Sequence, residues 1–126
     1  MLEIQHRLFD MGSSLASDPD KTPMPSKVKD RDIEILEEAI DTFTAELDPL
    51  RNFILPGGHV LVSQAHIARG VARRAERKVV DLSLHSDVEE IIIQYLNRLS
   101  DYLFTLCRLF SHRLGVSEVK WIARKS

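Results

Sequence analysis

Residues that break helices are few in this chain, and they are grouped. Three of the five prolines lie between residues 19 and 25, and the other two are Pro49 and Pro56. Because proline cannot continue the interior of a helix, the stretches between these groups are where long helices can form. Five glycines in 126 residues add little further interruption. The chain is therefore expected to be all-α, and its length predicts one domain over residues 1–126.

Apolar residues recur at three- and four-residue spacing in four segments, which predicts four helices. These helices are expected over residues 1–16, 30–47, about 60–80 and 86–112. Ser86 followed by Glu89 predicts a capping box at the start of the last helix. Strand-type alternation nowhere extends beyond four residues, so the expected architecture is a helical bundle. The apolar stripe of the last helix is formed by Ile92, Leu96, Leu99, Leu103, Leu106 and Phe110.

Composition excludes several classes of protein. The net charge is −2, so the chain has no global basic field that would attract nucleic acid. Its apolar runs are far shorter than the roughly 20 residues needed to cross a bilayer, so no membrane association is expected. The single cysteine, Cys107, excludes an internal disulfide and suits a reducing, cytoplasmic compartment.

The third predicted helix carries a dense basic cluster. Arg69, Arg73 and Arg77 are spaced four apart, and Arg74 and Lys78 lie beside them. Like charges at this spacing repel, so something should compensate for them. Salt bridges to the acidic second helix are one explanation. A polyanionic ligand is the other, because the planar fork of arginine suits phosphate oxygens.

A polar stripe runs along the otherwise apolar fourth helix. Such a stripe either faces water or lines a ligand pocket. Asn97 and Asp101, which are four residues apart, point the same way. The stripe consists of Gln94, Asn97, Arg98, Asp101, Thr105 and Arg108.

Other candidate features are weaker. The segment 53–58, FILPGG, either approaches a ligand closely through its double glycine or plugs the core between two helices. His59 and His66 could share a helix face, but no third ligand is placed nearby, so no metal site is expected. Cys107 lies in an apolar run and is interpreted as a packing residue.

Four strings, taken together and in this order, closely resemble the ATP:cob(I)alamin adenosyltransferases of the trimeric helical-bundle, or PduO, type. The resemblance covers nearly all of residues 2–112, and its R-x-x-x-R-R-x-E-R and L-N-R-L-S-D-Y-L-F patterns are long and specific. The strings are EIQHRLFDMGSSLA, FILPGG, ARGVARRAERKVV and YLNRLSDYLFTLCR.

The resemblance implies a fold and an activity. It implies a four- to five-helix, ferritin-like up-and-down bundle that assembles as a homotrimer with active sites between subunits. The implied reaction transfers the 5′-deoxyadenosyl group of ATP to cob(I)alamin, which gives adenosylcobalamin and triphosphate. ATP, cobalamin and Mg²⁺ are the implied ligands.

The resemblance also implies roles for particular residues. Phe53 matches a phenylalanine that helps to exclude the lower axial ligand of the corrin, which would make the cob(II)alamin precursor easier to reduce. Asn97 matches an asparagine that contacts ATP, and Asp101 belongs to the same signature. Arg73 is expected to be catalytic. The arginine-rich ATP site is matched by Arg69, Arg73, Arg74, Glu76 and Arg77.

One departure from the family pattern concerns the N-terminus. The threonine- and glycine-rich phosphate-binding stretch and the acidic first helix of the family are not present in this sequence. The first predicted helix also begins without a capping residue, so the N-terminal part of the family domain is expected to be missing. The missing helix would supply an acidic partner for Arg69. A non-catalytic bundle that binds a corrinoid is therefore the alternative to the enzyme.

Overall fold

Four helices are present in the parts of the chain that the structure, a computed structural model, describes. These parts are residues 2–16, 25–47 and 60–113. The helices are α1 (Leu2–Ala16), α2 (Asp30–Thr44), α3 (Val60–Ser83) and α4 (Glu90–Arg113). No strand occurs in these parts. The all-α prediction is confirmed, and each predicted helix is present with its ends shifted by a few residues.

The fourth helix is the centre of the fold. Both α3 and α2 pack against α4, and α4 contributes more buried residues than any other described helix. Ile92 is fully buried, and Tyr95 and Leu99 are almost so. The apolar stripe predicted for this helix is largely confirmed, with Leu106 and Phe110 only partly buried.

A regular seam of α3 faces α4. Its buried apolar members are Val62, Ala65, Ala72 and Val79. Arg69 and Glu76 occupy the same alternating three- and four-residue register and are half-buried. Small side chains let two helices approach closely, so the two charged residues in this register are brought close to α4.

The first helix covers one side of the core. Met11 is buried, and Ile4 and Leu15 pack partly against the buried cluster. The guanidinium of Arg7 lies 3.8 Å from the carboxylate of Asp32 on α2. Asp32 also accepts a hydrogen bond from the backbone N–H of Lys29 at 2.9 Å, which helps to start α2.

The predicted capping box at Ser86 is wrong. The fourth helix begins at Glu90, because the N–H of Ser86 donates to the carbonyl of Leu82 and so closes the turn after α3. The carboxylate of Glu89 instead accepts hydrogen bonds from the N–H and the hydroxyl of Ser26. This link between two distant segments ties the residues before α2 to the start of α4.

No described helix has the length and apolar character that a membrane-crossing helix needs.

Candidate active site

A hydrogen bond across the α3–α4 seam defines the centre of the site. The side-chain Nδ2 of Asn97 on α4 donates to Oε2 of Glu76 on α3 at 3.1 Å. Both residues are half-buried. The seam register explains this contact, since Glu76 stands one helical turn beyond the buried Ala72.

The bond continues along α4 through Arg98 to Asp101, which makes a polar network of four residues with Glu76 of α3. The Nη2 of Arg98 donates to Oδ1 of Asn97 at 2.6 Å. The same nitrogen lies 3.1 Å from Oδ2 of Asp101, one turn further along the helix. Asn97 and Asp101 are therefore joined through Arg98, a residue that the sequence placed in the polar stripe without a role of its own.

The network borders a cleft of about 400 Å³ between α2 and α3, with α4 as its floor. Ile33 and Glu37 of α2 form one wall, and Glu76 of α3 belongs to the other. Gln94, Asn97 and Arg98 contribute the polar part of the floor. The polar stripe of α4 thus lines a pocket over this stretch, as one of the two explanations of the stripe predicts.

The arginines of α3 do not act as one group. Arg73, Arg74 and Arg77 are exposed, and none of them forms an ion pair within the described parts of the chain. Two acidic residues of the second helix, Glu34 and Glu38, pair with Arg31 instead. Salt bridges from α3 to α2, one of the two explanations of the cluster, are therefore not found among these residues.

Arg69 points in a different direction from the exposed arginines. Its guanidinium carbon lies 4.8 Å from the centroid of the Phe104 ring on α4. This is a cation–π contact, which holds a guanidinium without a carboxylate. No described carboxylate pairs with Arg69. Its charge is therefore available to an anion that approaches α3 beside Phe104.

Burial favours the neutral forms of two titratable groups near Arg69, which are His66 and Cys107. Burial, followed by the charge of Arg69, lowers the pKa of His66, and its Nε2 is buried without a hydrogen-bond partner. Burial raises the pKa of Cys107 to about 11. The Cys107 thiol is thus a packing group, as predicted, and neither group is set up as a nucleophile.

Two further expectations from the sequence concern the segment that contains Phe53 and the binding of metal ions. Phe53 and the FILPGG segment lie outside the described residues. Within the described ranges, no three His, Cys, Asp or Glu side chains are arranged to hold a metal ion.

The cleft, the polar network and the arginine helix all lie within a stretch that matches a known family. The sequence model of the cobalamin adenosyltransferase family matches residues 1–110. The chain belongs to this family. The described helices agree with the helical architecture that the resemblance predicted.

Individual relatives support this assignment. The corrinoid adenosyltransferase of Bacillus subtilis is 43% identical over 121 residues, which cover 96% of this chain and 62% of that protein. Human corrinoid adenosyltransferase MMAB is 40% identical over 121 residues, covering 92% of this chain and 48% of that protein. The chain therefore spans about half to two-thirds of the length of these relatives.

Solved structures show the same fold. One is a phenylalanine-to-alanine variant of a PduO-type ATP:corrinoid adenosyltransferase from Lactobacillus reuteri, in complex with cobalamin and ATP. It superposes with a TM-score of 0.85 at 35% identity, over 94% of this chain and 66% of that chain. An arginine-to-lysine variant in complex with ATP gives a TM-score of 0.86 at 36% identity, over 95% of this chain and 67% of that chain.

Proposed function

We propose that this chain is an ATP:cob(I)alamin adenosyltransferase. It transfers the 5′-deoxyadenosyl group of ATP to cob(I)alamin and releases triphosphate. Family membership and the complexes of the Lactobacillus reuteri protein support this proposal. The observation that carries it is the Glu76–Asn97–Arg98–Asp101 network. This network borders the cleft and begins on α3, the helix whose exposed arginines have no described ion-pair partner.

The reaction suits a site built from these side chains. Cob(I)alamin is itself a strong nucleophile, so its cobalt attacks the 5′ carbon of ATP without a general base. The Co–C bond forms with the electron pair of cobalt, and the C5′–O bond breaks as triphosphate leaves. The protein has to align the two reactants and stabilise the charge of the leaving group.

The described residues divide between these two tasks. Arg73, Arg74 and Arg77 are proposed to bind the phosphates, because their guanidinium groups are exposed and unpaired within the described residues. Arg69 supplies a further positive charge beside Phe104. Asn97 is proposed to contact the nucleotide from the floor of the cleft, with Glu76 and Asp101 in its network.

Three further parts of the proposal concern the environment of the reaction. Phe53 is proposed to form an apolar wall against the corrin. Mg²⁺ is proposed to enter with ATP, held mainly by the phosphates, in keeping with its ordinary mode of binding in nucleotide sites. The protein is proposed to act in the cytoplasm.

The active unit is proposed to be a homotrimer. The outer face of α3 combines exposed apolar side chains with the phosphate-binding arginines. Ile67 is 66% exposed and Val71 is 49% exposed, and Arg74 follows one turn later. A second copy that covers these apolar groups would complete the site around the arginines.

An anaerobic assay tests the proposal. The chain is mixed with cob(I)alamin, ATP and Mg²⁺, and formation of the Co–C bond is followed by absorbance. An intact mass of 14.4 kDa confirms that the assayed protein is this chain alone. Turnover that requires ATP is expected. Corrinoid binding without ATP-dependent turnover would replace the enzyme by a non-catalytic corrinoid-binding bundle.

Arg73→Ala tests the arginine helix. Loss of one charge-assisted phosphate contact is expected to lower kcat/KM for ATP roughly 10- to 100-fold, with the oligomer unchanged by gel filtration. Arg31→Ala is the matched control, because Arg31 is exposed on α2 and, among the described residues, pairs with Glu34 and Glu38 of its own helix. A broken oligomer in Arg73→Ala would instead assign the cluster to subunit contacts.

A further inference from the structure

The side-chain amide of Asn97 is held from both ends by groups of opposite hydrogen-bonding character. Its Nδ2 donates to the Glu76 carboxylate at 3.1 Å. Its Oδ1 accepts from the Arg98 guanidinium at 2.6 Å. An ionised carboxylate can only accept and a guanidinium can only donate, so each neighbour accepts one orientation of the amide.

The reversed orientation is excluded twice. Rotating the amide by half a turn would place its N–H group against the guanidinium and its oxygen against the carboxylate. Both contacts would then lose their hydrogen bond and gain repulsion. Either neighbour alone therefore defines the orientation, and the two together define it redundantly.

The guanidinium that performs this task is itself fixed. The Nη2 of Arg98 also lies 3.1 Å from the Asp101 carboxylate, and the Arg98 side chain is 38% exposed. The spacing of three residues along α4 brings these two side chains to the same face. Asp101 therefore holds Arg98 over Asn97 and keeps it from turning into solvent.

We infer that Arg98 is a positioning residue for the nucleotide: with Glu76, it fixes the amide of Asn97 so that its remaining N–H and lone pair keep one arrangement at the cleft. This inference rests on the proposed function, in which Asn97 contacts ATP. It gives Glu76 and Asp101 a shared purpose, which is to preserve the orientation of one amide rather than to touch the reacting atoms.

Redundancy makes the inference testable by a double-mutant cycle. Glu76→Gln removes the acceptor-only neighbour, and Arg98→Met removes the donor-only neighbour at similar volume. Each single variant keeps one group that orients the amide, so the Kd for MgATP should rise only about threefold. The double variant keeps neither, and its Kd should exceed the product of the single effects by roughly fivefold or more.

A pure charge effect gives the opposite pattern. Removing the Glu76 carboxylate would improve the binding of an anion, and removing Arg98 would weaken it, so the two changes would cancel in the double variant. Arg98→Lys separates the readings further, since a lysine remains a donor-only cation. The variant that combines Arg98→Lys with Glu76→Gln should therefore have the same Kd for MgATP as Glu76→Gln alone.

The measurement is the Kd for MgATP by titration calorimetry, together with KM for ATP and for cob(I)alamin in the anaerobic assay. Synergy in Kd and in KM for ATP, with KM for cob(I)alamin unchanged within about twofold, is the expected result. Arg31→Gln serves as the charge-removal control on α2, and thermal melts confirm that all variants fold. Additive or cancelling effects on Kd overturn the inference.

Asn97→Ala separates this inference from the proposed function. If Asn97→Ala weakens ATP binding while the cycle is additive, the inference fails and the nucleotide site stands. If Asn97→Ala leaves the Kd for MgATP unchanged, the assignment of Asn97 fails and the inference fails with it. If ATP binds with the expected synergy but no Co–C bond forms, the proposed reaction fails and the positioning role stands.

Discussion

The hydrogen bonds of Ser26 give a stability prediction whose size follows from the structure. Ser26 is 1% exposed. Its hydroxyl donates to the Glu89 carboxylate and accepts from the backbone N–H of Val28 at 3.3 Å. Ser26→Ala removes both of these bonds and leaves only the bond from its own N–H to Glu89, at 3.1 Å.

The cost of this change is expected to be about 3 kcal/mol in the free energy of unfolding. A hydrogen bond to a charged group contributes about 1.5–3 kcal/mol, and a buried N–H left without a partner costs about 1–3 kcal/mol. The weak geometry of the Val28 bond places its share at the low end of that range. The assay is urea unfolding followed by circular dichroism at 222 nm, with the slope against urea checked for constancy.

Ser100→Ala is the matched control. Ser100 is also buried, at 5% exposure, but the partner of its hydroxyl among the described residues is the carbonyl of Leu96, at 3.1 Å. That carbonyl keeps its ordinary helical partner after the substitution, so a loss within about 1 kcal/mol is expected. Equal losses for Ser26→Ala and Ser100→Ala would refute the claim that the Ser26–Glu89 link stabilises the fold.

Two further predictions use the buried ionisable groups. Cys107 is 1% exposed and burial raises its pKa to about 11, so a maleimide or disulfide reagent at pH 7.5 should label it only at the rate of unfolding. Labelling of the folded protein within seconds would contradict this. Burial, followed by the charge of Asp32, raises the pKa of Tyr95 to about 12, against about 10 in an unfolded chain. Between these values the unfolded chain releases the tyrosine proton and the folded chain keeps it, so the stabilisation is complete below pH 10 and is lost as the pH rises to 12. The free energy of unfolding should fall by roughly 2–3 kcal/mol across this window relative to Tyr95→Phe, measured by urea titration at each pH, and parallel curves for the two proteins would contradict the assignment.

The periodicity of the sequence predicts the helices well because their stability comes from one apolar face. The seam of α3 and the stripe of α4 each follow a regular three- and four-residue spacing, and the apolar members of the seam and most of the stripe are buried. The link between Ser26 and Glu89 has no such signal, because it joins residues 63 positions apart. Local capping preference favours a helix that begins at Ser86. The Glu89 side chain bonds to Ser26 instead, and the helix begins at Glu90.

Helical geometry explains why Arg69 lies apart from the other arginines of α3. A spacing of four residues advances about 40° around a helix, so Arg69 and Arg77 differ by about 80°. Arg69 therefore stays at the seam beside Phe104, whereas Arg73 and Arg77 turn toward solvent. The sequence predicts only part of the network around Asn97. The spacing of Arg98 and Asp101 indicates an ion pair, but it does not show that the Asn97 amide lies between Glu76 and Arg98.

The placement of the network on α3 and α4 has a consequence for how the site is assembled during folding. Its four side chains all come from residues 60–113, two antiparallel helices with a six-residue connection over residues 84–89. Such a hairpin closes with a small loss of chain entropy, because its contacts are close along the chain. The four residues of this network are thus encoded in one contiguous piece of sequence. The docking of α1 and α2 adds walls and stability around a polar arrangement that the hairpin already specifies.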